Sequence, residues 1–204
     1  MSTVVPMSQV FASVLGEFDR WVWRQFLQNP VLTDAARQVT DAGSMSVLMP
    51  GAVVAGAALW WRYRSILLGV VPWVALQMNS SLVAVLKRVF DVARPPQEDW
   101  LAGAAGGSFP SGHVANTTVL LVSIAALVCI NESSPATRRA SLVIASSGIV
   151  IMAWTRLALN VHWLSDVIAG AFVGIVIAVA TVFAAISIRS RRVIPLRTRG
   201  QSAD

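Results

Sequence analysis

Long apolar stretches dominate this chain, and short polar segments punctuate them. A helix needs about 20 mostly apolar residues to cross a hydrocarbon core of roughly 30 Å. Five stretches meet or approach that length: 44–61, 65–86, 114–130, 141–157 and 164–188. Gly, Ala and Ser recur inside them, as in 52–58 and 169–174. Small residues let helix backbones approach in lipid, so the pattern predicts a tight bundle. Pro50 and Pro72 fall inside two spans, a setting that tolerates them as kinks or helix starts. No internal repeat is evident.

The N-terminal segment reads differently. Phe11, Val14, Leu15, Phe18, Trp21, Val22 and Phe26 recur at helical spacing, with Glu17, Asp19, Arg20 and Arg24 between them. The apolar run before Glu17 is short and is broken by Pro6. An amphipathic helix lying in the membrane interface is expected, with an unstructured terminus or a sixth span as alternatives. No basic start followed by an apolar run and a small-residue cleavage site suggests a signal peptide. The expected fold class is therefore all-α: a polytopic transmembrane helical bundle of five spans plus an N-terminal amphipathic helix. The expected organisation is an interfacial segment over 1–43, a membrane domain over 44–188 and a basic tail over 189–204.

Composition supports this picture. Apolar residues make up 55% of the 204 positions, charged residues 13%, and mean hydropathy is +0.65. A soluble domain carries about 25% charged residues, so this chain lacks the charge to cover a water-facing surface. Disorder, a fibrous repeat and a disulfide-stapled secreted fold are excluded. Cys129 is the one cysteine and closes no intrachain disulfide. A net charge of +6 and a pI near 11.2 raise the question of nucleic acid. Basic residues that flank membrane spans answer it better, and no nucleic-acid partner is expected.

Alternating spans put Arg62, Arg64, Arg138, Arg139, Arg189, Arg191, Arg192, Arg197 and Arg199 on one face. The positive-inside rule makes that face, and the C-terminus, cytoplasmic. The basic tail is expected to meet anionic headgroups there. Trp60, Trp61, Trp154 and Trp163 fall near span ends, as in interfacial belts.

Three polar clusters fall on the opposite, extracytoplasmic face. The first runs from Lys87 to Pro95; Lys87 and Arg94 are seven apart, two helical turns, and should project from one side. Juxtamembrane anchoring would explain this cluster taken alone. The second is Gly106-Gly107-Ser108-Phe109-Pro110-Ser111-Gly112-His113, leading into a span. Backbone N–H groups before a helix start, aided by the helix dipole, suit an anion. An ordinary loop with Ser111 as helix cap is the alternative. The third is Thr155-Arg156 followed by His162-Trp163-Leu164-Ser165-Asp166. A spacing of four puts Asp166 one turn from His162, where a carboxylate can fix the imidazole tautomer and leave the other nitrogen nucleophilic. A structural His–Asp pair is the alternative.

The chain has two histidines, and both lie in these clusters. Ionisable groups gathered at span ends point to function. Imidazoles, a carboxylate and cations beside an N–H-rich helix start describe phosphoryl transfer.

At this point the chain resembles the type 2 phosphatidic acid phosphatase superfamily. Lys87 to Pro95 is similar to its first signature, Lys-x6-Arg-Pro. Pro110-Ser111-Gly112-His113 matches the second, and Arg156 to Asp166 the third, with Thr155 where the family pattern has serine. The resemblance covers roughly residues 44–188. It implies a metal-independent membrane phosphatase without a cofactor. Carried over by residue, it makes His162 the nucleophile that forms a phosphohistidine, oriented by Asp166. His113 becomes the general acid and then the base that activates water. Lys87, Arg94 and Arg156 become the phosphate clamp, completed by Ser111 and the Gly112 backbone N–H. Bacterial relatives commonly have six spans; here the first is missing or reduced to the amphipathic helix.

The resemblance and the outward placement together imply a lipid phosphate as substrate, with a polyprenyl diphosphate (undecaprenyl or decaprenyl) first and cell-wall carrier recycling as its context. Phosphatidylglycerol phosphate and phosphatidate are close rivals. Trp100 and Phe109 flank the site as substrate contacts or interfacial anchors. A vanadium haloperoxidase would be soluble and larger. A non-catalytic headgroup-binding protein or transporter would need the cations but not the His162–Asp166 pair.

Overall fold

The structure is a computed structural model that describes residues 16–26 and 30–193. Phe11, Val14, Leu15 and the tail beyond Val193 lie outside the described residues. Those residues form seven α-helices and no strand. The helices are α1 (Gly16–Phe26), α2 (Pro30–Thr40), α3 (Met45–Tyr63), α4 (Ile66–Phe90), α5 (Gly112–Asn131), α6 (Pro135–Ala158) and α7 (Leu164–Val193). The last five are long and apolar enough to cross a membrane. Val54, Trp61, Ile144, Phe172 and Phe183 point outward from them, as lipid-facing side chains do.

Helix α5 is central, with α3, α4, α6 and α7 packed around it. Its mid-section meets Leu76 and Leu48 through Val119 and Leu120, and its far end meets Leu68 and Val182 through Leu127. Two glycines bring α7 onto α5. A Cβ built on Gly170 would lie 2.6 Å from the Ser111 carbonyl oxygen, and one on Gly174 would lie 2.6 Å from that of Ala115. Backbone therefore touches backbone at the starts of both helices, as small-xxx-small pairs allow. The Ser111 N–H donates to the Asp166 carbonyl (3.0 Å) and ties the two starts together.

The helix boundaries correct the sequence expectation in three places. Helix α6 begins at Pro135, not near 141, because Ser134 caps it by accepting from the Thr137 N–H (3.3 Å) and proline fits a first helical turn. Arg138 and Arg139 therefore ride on the first turns of α6 rather than in a loop. Helix α4 ends at Phe90, where Asp91 turns left-handed (φ 42°), so Arg94 lies beyond the helix in an extended loop. The two-turn argument for Lys87 and Arg94 fails. Helix α2 was not foreseen; it packs along α6, with Ala36 buried in a cluster with Ala158, Leu159 and Val161.

The arginine-bearing end is cross-linked. Arg62 pairs with Glu132 (2.8 Å), and Arg189 donates to the Asn131 side chain (2.8 Å). The polar clusters lie at the other end of the bundle, beside α1 and α2.

Candidate active site

His162 and Asp166 meet, but not across a helix face. His162 precedes the first turn of α7. Asp166 is the third residue of that helix, and its Oδ2 accepts from the Trp163 backbone N–H at 2.8 Å. This is the back-reaching half of a capping box. The same oxygen accepts from His162 Nδ1 at 3.1 Å. With Nδ1 protonated toward the carboxylate, Nε2 carries the lone pair. Both side chains are buried. Asn160 sets up this turn: at φ 55° it adopts the left-handed conformation that asparagine tolerates, and the chain reverses from α6 into α7.

Nε2 faces cations. Arg94 Nη1 donates to it at 3.2 Å and to the Val161 carbonyl at 2.7 Å. Burial, then the charges of Arg94, Arg156 and Lys87, hold His162 well below its ordinary pKa of 6.5. The ring is therefore neutral, and a neutral imidazole keeps the lone pair that a nucleophile needs. Burial also draws Arg94 down from its usual range and the Asp166 carboxylate opposes this; a guanidinium stays charged regardless. Trp100 forms a shelf beneath Arg94, with the guanidinium carbon 5.9 Å from the ring centre. The Trp100 indole N–H is tied to the Pro95 carbonyl at 2.9 Å.

The glycine-rich loop works through its carbonyls, contrary to expectation. Arg94 Nε and Nη2 donate to Gly106 and Ala105 (both 3.0 Å), and Lys87 Nζ donates to Gly107 at 2.5 Å. The Ser108 N–H is spent on the Val92 carbonyl (2.8 Å). The loop thus aims the cations. Ser111 stands at the N-cap position of α5 but makes no capping bond, and its buried Oγ has no hydrogen-bond partner among the described residues. Gly112 borders Lys87: a Cβ there would lie 4.0 Å from the Lys87 Cε. His113 follows, within the electrostatic reach of Arg156, His162, Lys87 and Arg94.

Arg156 is buried at the end of α6 and donates from Nη1 to Thr40 Oγ1 (2.6 Å). Its Nε has no partner among the described residues. Thr155 spends its hydroxyl on its own helix, donating to the Met152 carbonyl (2.8 Å). All eight residues proposed from the sequence as site residues thus gather around the starts of α5 and α7 and the ends of α4 and α6, with Arg94 on the loop after α4 and His162 on the turn before α7. Ser111 Oγ and Arg156 Nε are buried donors of the kind an anion satisfies.

Sequence reasoning missed three contributors. Thr40 orients Arg156. Gly43 lies against the His113 ring, since a Cβ there would approach its Cδ2 at 3.1 Å. Ser108 is fully buried, donates to Asp166 Oδ2 in a short hydrogen bond and lies 3.4 Å from His162 Nδ1. Only its place in the loop before Pro110 pointed to it. Ser108→Ala should lower kcat about tenfold or more, because a hydrogen bond to a charged group contributes about 1.5–3 kcal/mol. Steady-state phosphate release checks this, and a variant as active as wild type would remove Ser108 from the site.

Fold and site together define a membrane-embedded phosphatase of the lipid-phosphate type. The chain belongs to the PAP2 superfamily, whose pattern matches residues 66–186. It is 26% identical over 153 residues, 74% of each chain, to phosphatidylglycerophosphatase B of Bacillus subtilis (strain 168). Its fold is similar to the crystal structure of a transmembrane PAP2-type phosphatidylglycerolphosphate phosphatase from Bacillus subtilis, with a TM-score of 0.76, 21% identity and 94% of each chain covered. It is also similar to Aquifex aeolicus LpxE, with a TM-score of 0.60 and 21% identity over 82% of this chain and 93% of that one.

Proposed function

We propose that this protein removes the terminal phosphate of a membrane lipid through a phosphohistidine at His162. One observation carries the reading: a neutral imidazole, oriented by Asp166 through Nδ1, presents Nε2 to a cluster of fixed cations. His162 Nε2 attacks phosphorus, and the bond to the lipid oxygen breaks. His113 gives that oxygen its proton. The same imidazole then takes a proton from water, whose oxygen displaces His162 and frees inorganic phosphate. Lys87, Arg94 and Arg156, with Ser111 and the Gly112 N–H, hold the oxygens as charge builds. Their fixed positive charge fills the neutralising role that a divalent ion would otherwise take, so no metal is assigned.

The arginine-bearing end supports a cytoplasmic C-terminus and an extracytoplasmic site. The Bacillus relative's name favours phosphatidylglycerol phosphate as substrate. An outward site keeps a polyprenyl diphosphate as the second reading. Purified protein should release phosphate from phosphatidylglycerol phosphate in mixed micelles, with activity retained in excess EDTA. A panel adding undecaprenyl diphosphate and phosphatidate ranks the substrates by kcat/KM. No release from any of them would overturn the phosphatase reading, and loss in EDTA would overturn its metal independence.

A further inference from the structure

Helix α1 has two faces with different jobs. Phe18 and Trp21 are exposed and stack on each other at 5.9 Å, as interfacial aromatics would. Asp19 turns the other way and is only 7% exposed. Acidic side chains are almost never buried without a partner. Among the described residues, no lysine or arginine forms an ion pair with this one. Its partner is Ser165 of α7. Asp19 Oδ1 accepts from the Ser165 N–H at 2.9 Å, and Oδ2 accepts from the Ser165 hydroxyl at 2.5 Å. One turn further along α1, Trp23 meets Trp163 edge to face at 6.1 Å.

The position of Ser165 gives this contact its meaning. The first N–H groups of a helix have no partner inside it, and the residue ahead of the helix normally supplies one from its own side chain. Here that residue is Trp163, which has no side-chain acceptor. Its indole N–H is already committed to the Ala93 carbonyl (2.9 Å). Asp166 Oδ2 is occupied with Trp163, His162 and Ser108, and no Asp166 oxygen accepts from Ser165. Asp19 therefore supplies the missing acceptor from another helix, and its negative charge faces the positive end of the α7 dipole.

We propose that Asp19 is a positioning residue for the phosphatase reaction: by capping α7 from outside, it holds the His162–Asp166 pair in register with Arg94. Without it, Ser165 would lose the acceptor for its N–H and hydroxyl, the first turn of α7 would loosen, and the imidazole would lose its fixed aim. The N-terminal helix is then part of the catalytic apparatus as well as a membrane anchor. This rests on the reading of His162 as nucleophile.

The test uses the full chain in nanodiscs, with phosphatidylglycerol phosphate as substrate and amide exchange followed over 163–167. Asp19→Ala should lower kcat about tenfold with KM within about twofold, and exchange at the start of α7 should rise by a similar factor. Asp19→Asn keeps an acceptor for the Ser165 N–H and should stay within about threefold of wild type. If Asp19→Ala fails to fold, the Asp19→Asn, Ser165→Ala double variant replaces it. That variant leaves one neutral hydrogen bond and should lose about fivefold in kcat. Wild-type turnover in Asp19→Ala, an equal loss in Asp19→Asn, or a rise in KM with kcat intact would each overturn the proposal. If the wild-type protein releases no phosphate from any lipid, the functional reading fails by itself. Exchange then decides the cap: a rise in Asp19→Ala supports it, and none overturns it.

Discussion

His162→Ala should lose at least about 10⁴-fold in turnover while the bundle stays folded, because it deletes the atom proposed to bond to phosphorus. The side chain sits in the loop between α6 and α7 but is buried against Asp166, so the thermal midpoint should fall by a few degrees while the bundle stays folded. Phosphate release and thermal unfolding in the same detergent separate the two effects. Near-normal release would remove His162 from its role. The wild-type pH profile bears on the same atom. Its pKa is lowered, so the nucleophilic neutral form persists below pH 6.5 and is lost only as pH falls through the depressed value. The acid limb of kcat/KM should therefore lie below 6.5 and not at the position of an exposed histidine.

The second large effect is on the scaffold. Gly170→Val should cost roughly 3 kcal/mol, the upper end of ordinary overpacking, since the neighbour it strikes is backbone and cannot rotate away. The clash is with the Ser111 carbonyl oxygen, 2.6 Å from the added Cβ, so it would pry the start of α7 from the start of α5. A fall in thermal midpoint on the order of 10 °C should accompany the loss of activity. Gly51→Ala is the control, because a Cβ there meets nothing within 4 Å. Equal stability of the two variants would mean that α5 and α7 do not touch at Gly170.

Much of this site was legible because its chemistry is local in sequence. Pro110 to His113 and His162 to Asp166 each span a turn of helix or less, so short spacings carried their meaning directly. Two local arguments reached correct neighbours for the wrong reason. Lys87 and Arg94 converge on Gly107, but through a loop that leaves the helix at Asp91. His162 and Asp166 meet because the carboxylate folds back over the helix start. Periodicity assumes a continuous helix, and both pairs straddle a helix end.

From the sequence alone came the apolar spans, the arginine-rich end and the residues proposed to react. Each depends on residue type and short spacing, which a linear pattern preserves. Tertiary structure alone decided which carbonyls aim the cations, that Thr40 holds Arg156, that Ser108 joins the His162–Asp166 pair, and that Asp19 closes the end of α7. Those partners lie far apart along the chain, and nothing in either local segment encodes the other. Only the close packing of α7 on α5, with α1 and α2 folded over the same end, brings their donors and acceptors within hydrogen-bonding distance.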